Sequence, residues 1–297
     1  MKKAVKIYIA ASLLLISGLF INGVYNHNHK ITSETYTIKA LKVPQNLDFA
    51  GEKVPLSMPD IYERFDKELH IITYWQSNTL LTIKRSKRFF PVIEPILKQY
   101  NIPDDFKYLA VAESGLQNVV SPSDARGFWQ LLKGTAQENG LEVNENVDER
   151  YDLEKATHAA CKYLLKSKEK FGNWTLTAAA YNAGNTGIFK RPDHQKAVNY
   201  YDLLLVEETA RYVPRIVLFK EIISNPDKFG FQLEADDYYA PYKYRTIEIE
   251  SEITDLVAFA NENNTSYKLL RIYNPWLREN HLKNKGNKKY QVKIPIL

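Results

Sequence analysis

The amino-acid sequence predicts a mainly α-helical domain followed by a small module of mixed α and β structure. From Pro59 to about Asn225, apolar residues recur at helical spacing and no alternating strand pattern interrupts them. After Pro226 the pattern changes, because two short alternating segments flank two short helical segments. The chain is therefore expected to contain a helical domain at residues 59–228 and a separate module at residues 240–297.

Proline, glycine and capping residues divide the helical domain into separate helices. Asp104 and Asp152 are predicted to cap two of these helices, and Gly115 is predicted to end the helix that Asp104 begins. The expected helices are residues 61–75, 89–100, 105–114, 133–139, 153–171, 174–182 and 206–223.

The C-terminal module is expected to fold as strand, helix, helix and strand. Residues 244–250 and 290–296 alternate between apolar and polar side chains, as strands with one buried face do. Between them, Ser251 and Ser266 can each cap a short helix.

The N-terminal residues predict export from the cytoplasm. Three lysines among the first six residues precede an apolar run from Ile7 to about Val24, so residues 1–25 are expected to be a signal peptide or an N-terminal membrane anchor. No cysteine closely follows this run, which excludes a lipoprotein anchor. The remaining chain is then expected in the periplasm or cell envelope. Residues 26–58 are polar without a helical period, which predicts a linker.

Composition excludes several classes of function. The net charge is +5, but the lysines and arginines are interleaved with acidic residues, so no clustered basic face for nucleic acid is expected. Cys161 is the single cysteine of the chain, which excludes an internal disulfide and a multi-cysteine metal site. The six histidines form no convincing metal site, and no metal or cofactor is expected. The oligomeric state stays open.

One carboxyl group occupies an unusual position on a predicted helix. Phe106, Leu109, Ala110 and Glu113 have the spacing of one helix face, which places Glu113 on an apolar stripe. Burial and the negative end of the helix dipole both raise the pKa of such a carboxyl group. A raised pKa is what a general acid needs near neutral pH. The alternative is that Glu113 simply points into water beside Gly115.

Short motifs follow Glu113 in a characteristic order. They are Glu-Ser-Gly-Leu at 113–116, Ser-Pro at 121–122, Ala-Arg-Gly-Phe-Trp-Gln at 125–130, Gly-Thr-Ala at 134–136, Asp-Glu-Arg-Tyr-Asp at 148–152 and Ala-Ala-Tyr-Asn-Ala-Gly at 179–184. This series closely resembles the soluble-lytic-transglycosylase family, which has a lysozyme-like helical fold. Residues 84–91, 102–110 and 207–216 further resemble the membrane-bound lytic murein transglycosylase D type of that family.

The resemblance implies cleavage of peptidoglycan glycan strands by a single carboxyl group. Glu113 would act as both acid and base at the β-1,4 bond between N-acetylmuramic acid and N-acetylglucosamine, with a 1,6-anhydro product. Ser121, Gln130, Tyr181 and Asn182 would contact substrate, and the hydroxyl group of Tyr181 would reach the catalytic carboxyl. Without the resemblance, Tyr181 could be a core aromatic residue, and Ser121 and Gln130 could be ordinary turn residues.

Two other functions stay open at this point. Ordinary glycosidases use two carboxyl groups, so a second one facing Glu113 would indicate a goose-lysozyme-like hydrolase of the same bond. A non-catalytic scaffold that only binds peptidoglycan is the other alternative. The candidates for a second carboxyl group, for which structural roles are favoured, are Asp124, Asp148, Glu149 and Asp152.

The C-terminal module resembles a LysM domain in layout. It lacks the Gly-Asp-Thr turn that would follow the first strand and has Glu250-Ser251-Glu252 instead. The module is therefore expected to be a degenerate LysM-like module, which either binds glycan or packs against the catalytic domain.

Overall fold

The computed structural model describes residues 37–184 and 194–296. The predicted signal peptide or anchor at residues 1–25 lies outside the described residues. Within the described ranges, no helix is both long enough and apolar enough to cross a membrane.

Helices dominate the larger domain, as the sequence predicts. Helix α7 packs against α1, α3 and α6, and α5 packs against α2 and α6. Within the described residues, the α-helices of this domain whose bounds are defined are α1 (Pro59–Tyr74), α2 (Gln76–Gln99), α3 (Lys107–Ser114), α4 (Lys133–Glu138), α5 (Leu153–Phe171), α6 (Trp174–Ala183) and α7 (Glu207–Ser224). Short 3₁₀ turns lie at Asp104–Phe106, Glu149–Tyr151, Tyr200–Asp202 and Pro226–Phe229.

Of the two predicted N-cap residues, Asp152 is confirmed and Asp104 is wrong. Helix α5 begins after Asp152, whose side chain accepts a hydrogen bond from the backbone N–H of Lys155 as an N-cap should. Asp104 does not cap α3, because a 3₁₀ turn precedes that helix and the carboxylate of Asp104 pairs with the ammonium group of Lys107.

The predicted linker is wrong over residues 41–58. Val43, Leu47 and Phe49 are buried in the core of the helical domain. Two very short antiparallel strands, β1 (Asp48–Phe49) and β2 (Glu52–Lys53), form a hairpin there. The carboxylate of β2 residue Glu52 accepts hydrogen bonds from the backbone N–H groups of Trp174 and Thr175, at 2.5 and 2.9 Å. This segment therefore supplies an anion to the positive end of α6.

The C-terminal module has the predicted strand–helix–helix–strand order. Strands β3 (Tyr244–Ile249) and β4 (Tyr290–Pro295) pair antiparallel, and helices α8 (Leu256–Glu262) and α9 (Tyr267–Tyr273) lie between them in sequence. Ser266 caps α9 as predicted, whereas Asp255, not Ser251, caps α8.

Residues 142–149 of the helical domain hold the module in place. Val147 lies in the hydrophobic core of the module and is almost completely buried. The side chain of Asn146 donates a hydrogen bond to the carbonyl of His281 and accepts one from the backbone N–H of Lys283, both at 2.8 Å. Glu142 binds the ammonium group of Lys288 at 2.5 Å. The module is thus packed against the helical domain rather than tethered to it.

Candidate active site

Helix α3 brings a carboxyl group to the edge of the core. Leu109 and Ala110 are completely buried, and Glu113, on the same face of the helix, is half-buried. The helix ends at Gly115, whose φ of 58° is the left-handed conformation typical of a helix C-cap. Glu113 therefore occupies the last turn, as the periodicity predicts.

The surroundings of Glu113 favour its protonated form. Burial raises the pKa of Glu113 from 4.5 to about 7, which is the largest effect on this group. A hydrogen bond from the hydroxyl group of Tyr212 and the positive charge of Arg215 act in the opposite direction, while the negative charge of Glu208 raises the pKa further. The net result is a carboxyl group that can give and take a proton near neutral pH.

Sequence reasoning about single residues missed all three partners of Glu113. Glu208, Tyr212 and Arg215 lie on α7, and Tyr212 is 99 positions from Glu113 along the chain. The one available signal was the resemblance of residues 207–216 to a helix of the membrane-bound lytic murein transglycosylase D type. That signal indicated the helix but no role for its side chains.

Tyr181 has a different contact from the one expected. Its hydroxyl group donates a hydrogen bond to the backbone carbonyl of Trp129 at 2.6 Å, whereas Tyr212 supplies the phenol that binds Glu113. Burial raises the pKa of Tyr181 well above its usual value, and the negative charge of Glu113 raises it further.

Gln130 closes a tight turn that begins at Gly127. Its φ is 45°, and its side-chain nitrogen donates to the carbonyls of Gly127 at 2.8 Å and Val119 at 3.0 Å. Gly127 has a φ of 80°, and a Cβ atom there would lie 2.0 Å from the carbonyl oxygen of Arg150. Only glycine fits this position, because both the backbone conformation and the space exclude a side chain.

The two other predicted substrate contacts also have partners within the protein. The hydroxyl oxygen of Ser121 accepts a hydrogen bond from the backbone N–H of Ala125 at 3.0 Å. The amide of Asn182 accepts from the hydroxyl of Thr209 at 2.9 Å and donates to Glu208 at 3.3 Å. Asn182 thereby connects α6 to α7 next to Tyr212.

Each carboxyl group proposed from the sequence as a second catalytic acid has a structural partner. Asp124 pairs with Arg126 at 2.7 Å, and Asp148 pairs with the buried Arg150 at 2.8 Å. The other two belong to the start of α5 and its surroundings: Glu149 binds Lys155 at 2.5 Å, and Asp152 caps the helix.

A buried ion cluster fixes α7 against α1. Glu68 of α1 is completely buried, and its carboxylate accepts hydrogen bonds from Arg211 and, at 3.2 Å, from Arg215. These two arginines lie on either side of Tyr212 in sequence. The cluster therefore controls the position of the helix that carries the hydroxyl group bound to Glu113.

Comparison with known families identifies the class of both domains. Residues 91–203 match the transglycosylase SLT domain, and residues 245–296 match the soluble lytic transglycosylase C-terminal LysM-like domain. The chain thus contains an SLT domain followed by a LysM-like domain, which confirms the predicted resemblance. The matched SLT region includes Glu113 and Tyr181 but ends before Tyr212.

The relatives are consistent with the predicted subtype. Two proteins named membrane-bound lytic murein transglycosylase D, from Escherichia coli strain K12 and strain O6:H1, are each 29% identical over 198 residues. The match covers 64% of this chain and 43% of each relative, so it spans less than half of their length. Among solved structures, the 70 kDa soluble lytic transglycosylase of Escherichia coli is 17% identical, with a TM-score of 0.37, over 71% of this chain and 42% of that one.

Proposed function

We propose that this chain is a peptidoglycan lytic transglycosylase with Glu113 as its single acid and base. The SLT domain and the two named relatives support this class of activity. The observation that carries the residue assignment is the environment of Glu113, which raises its pKa to about 7 while Tyr212 donates a hydrogen bond to the carboxyl group. Such a group is protonated for much of the time near neutral pH and can act as a general acid.

The proposed reaction uses this one carboxyl group twice. The protonated Glu113 gives its proton to the glycosidic oxygen as the bond from C1 of N-acetylmuramic acid breaks. The resulting carboxylate then takes the proton from the C6 hydroxyl of the same sugar, while O6 bonds to C1. The product is a 1,6-anhydro ring, and Glu113 is protonated again. An intramolecular hydroxyl replaces water, because its proximity compensates for the missing second carboxyl group.

The arrangement of the other carboxyl groups supports this mechanism over hydrolysis. Asp148 and Glu149 are buried in ion pairs, and Asp152 is used as a helix cap. Glu208 is the acidic residue whose charge acts on Glu113, and it is exposed on α7. Among the described residues, Glu208 is therefore the candidate for the second carboxyl group of a goose-lysozyme-like hydrolase built on this site.

Mass spectrometry of the sugars released from purified peptidoglycan tests the proposal. We expect products that end in 1,6-anhydro-N-acetylmuramic acid and no products from Glu113→Gln. Glu208→Gln should still release anhydro sugars, as should the matched control Glu207→Gln, which changes the neighbouring exposed residue. Reducing-end products that disappear in Glu208→Gln would instead establish a hydrolase, and binding without any release would indicate a scaffold.

We further propose that Ser121, Gln130, Tyr181 and Asn182 form walls of the substrate cleft. The contacts of Gln130 use its amide nitrogen, so its amide oxygen can accept a hydrogen bond from a sugar acetamido group. Substitution of Gln130 by Glu keeps an acceptor oxygen but removes the N–H donors that hold the side chain against the carbonyls of Gly127 and Val119, so that oxygen is no longer held in place. We expect a higher KM for peptidoglycan with a smaller change in kcat, measured by release of soluble sugars.

The proposed site of action is the cell envelope. A substrate outside the cytoplasm requires export, and residues 1–25 have the composition of a signal peptide or membrane anchor. Fractionation of cells that express the full chain separates these two cases. An anchored protein stays with membranes after a salt wash, whereas a protein with a cleaved signal peptide is released with the periplasmic fraction.

A further inference from the structure

A cavity of about 380 Å³ lies between the SLT domain and the C-terminal module. Its walls come from α2, from the loop after α3 and from the strands and helix end of the module. Glu113 does not line it, although Leu116 and Gln117, which directly follow the catalytic helix, do. Its volume is in the range of small-ligand sites.

Aromatic rings form much of the wall. Tyr239 and Tyr242 come from the segment that joins the two domains, and Tyr242 contacts the ring of Tyr273 with a centroid distance of 4.7 Å. Ring faces of this kind bind apolar and cationic groups, and their hydroxyl groups can bind polar ligand atoms. The complete set of aromatic lining residues is Phe89, Phe128, Tyr151, Tyr239, Tyr242, Tyr244 and Tyr273.

Two half-buried arginines in this wall have no carboxylate partner among the described residues. Arg85 donates to the backbone carbonyl of Gly115 at 3.2 Å. Arg88 donates to the carbonyl of Ala240 at 2.8 Å and to the hydroxyl of Tyr242 at 3.2 Å, and its guanidinium lies 4.4 Å from the centre of that ring. Their contacts are with neutral groups, so their positive charges are not neutralised within this wall.

The remaining charges of the cavity do not change that balance. Asp152 and Lys293 also line it, and burial raises the pKa of Asp152, an effect that the positive charge of Lys293 partly offsets. Burial lowers the pKa of Arg85, which shows that the environment disfavours its charge. A cation held in a partly desolvated place without an anion raises the free energy of the folded protein, and a bound anion would offset this cost.

We propose that this cavity binds an acidic peptide, of the kind that peptidoglycan carries on its muramic acid residues. The carboxylates of the peptide would pair with Arg85 and Arg88, and its aliphatic parts would pack against the tyrosine rings. Peptidoglycan as the source of this peptide rests on the proposed function, but binding of a free peptide does not depend on cleavage by Glu113.

The test is titration calorimetry of the full chain with the dipeptide L-alanyl-γ-D-glutamate. We expect binding that weakens as salt is added, because both partners are charged. The same dipeptide with amidated carboxyl groups should bind at least about tenfold more weakly, since charge-assisted hydrogen bonds to guanidinium are lost. This comparison changes the ligand alone and therefore does not depend on the folding of any variant.

Three variants on α2 locate the site. Arg88→Gln should weaken binding of the dipeptide about tenfold or more, and Arg88→Lys should recover part of the loss. Lys87→Gln removes the same charge from an exposed neighbour outside the cavity and should leave the dissociation constant unchanged. Equal affinity for the acidic and amidated dipeptides would overturn the proposal. The proposal would also be overturned if Arg88→Gln weakened binding of a neutral N-acetylglucosamine oligosaccharide and left binding of the dipeptide unchanged. Failure of Glu113→Gln to abolish cleavage would affect only the proposed function.

Discussion

One hydroxyl group opposes the larger effect of burial on the protonation of Glu113. Tyr212 donates a hydrogen bond to the carboxyl oxygen, which stabilises the ionised form and lowers the pKa of Glu113. Without this donor, Tyr212→Phe should raise that pKa by about one unit, because a hydrogen bond to a charged group is worth about 1.5 kcal/mol or more. Since a general acid works while protonated, the alkaline limb of the pH profile of kcat/KM should move to higher pH. The profile is measured by release of soluble sugars from peptidoglycan.

Tyr181→Phe is the matched control for this variant. The hydroxyl group of Tyr181 donates to the carbonyl of Trp129 and not to Glu113, so its loss can lower activity without moving the limb. If the limb moves in Tyr181→Phe and stays in place in Tyr212→Phe, the two tyrosines have the opposite roles to those proposed here.

The raised pKa of Glu113 also has a cost in stability. The folded protein holds this proton more tightly than the unfolded chain, since the pKa rises from 4.5 to about 7 on folding. Stability is therefore lost as the pH rises from the lower to the higher value, by up to about 3 kcal/mol. Glu113→Gln removes the ionisation, so it should unfold at higher urea concentration than the unchanged protein at about pH 8, with a much smaller difference at about pH 4. An equal difference at both pH values would contradict this explanation.

At the scale of residues, local sequence patterns predicted the position of Glu113 but not its hydrogen-bond partner. The spacing of Leu109, Ala110 and Glu113 places the carboxyl group on a buried face, and burial fixes the direction of its pKa shift. The contact with Tyr212 could not be predicted in this way, because it joins two helices that are 99 positions apart in sequence. The expectation for Tyr181 came from the family resemblance and not from any pattern that reports a contact.

At the scale of elements, the position of α7 depends on a buried carboxylate. Glu68→Gln removes the buried carboxylate that Arg211 and Arg215 share, and Arg211 keeps only the exposed Glu207, at 3.9 Å. We expect a loss of about 3 kcal/mol in the free energy of unfolding, measured by urea denaturation. Lys67→Gln breaks the adjacent pair with Glu207, which is exposed, and should have little effect. Similar losses in both variants would show that the buried cluster stabilises the fold no more than the exposed ion pair does.

The turn that presents Gln130 depends on a glycine. Gly127→Ala would place a Cβ atom 2.0 Å from a backbone oxygen of Arg150, so the turn must shift. We expect this variant to lose roughly 3 kcal/mol of stability and most of its activity. Gly172→Ala is a close control, because Gly172 has a similar φ of 77° and open space around its Cβ position. That change should cost only about 1 kcal/mol from backbone strain, and equal effects at both positions would exclude the collision as the cause.

The helices that the sequence predicts well carry their own local signals. Helix α5 has the N-cap Asp152 and the C-cap Gly172, and both act as such in the structure. The first half of α2 was missed because its buried face there includes Thr79, Thr82 and Ser86, which give no apolar period. Pro91 and Pro95 also lie inside this helix and normally indicate a break.

At the scale of the whole molecule, the two domains keep separate hydrophobic cores but pack against each other through residues 142–149. Residues 41–58 were predicted to be a linker from their polar composition, and the sequence left open whether the module packs against the catalytic domain, because both sets of contacts depend on surfaces that are distant in sequence. The bridge between Val147 and Leu277 and the hydrogen bonds of Asn146 show that residues 142–149 cover one face of the module. A segment that serves two domains in this way couples their stabilities.

This coupling predicts one cooperative unfolding transition for the full chain. Val147→Ala removes buried methyl groups from the core of the module and should lower the free energy of unfolding by about 2 kcal/mol. Hydrogen exchange should then become faster by the same factor in α5 of the SLT domain and in α9 of the module, because both open only with the whole molecule. Val257→Ala truncates an exposed valine of the module and should change neither rate. Faster exchange confined to α9 in Val147→Ala would show instead that the module unfolds on its own, and the cavity between the domains would then open without loss of the catalytic domain.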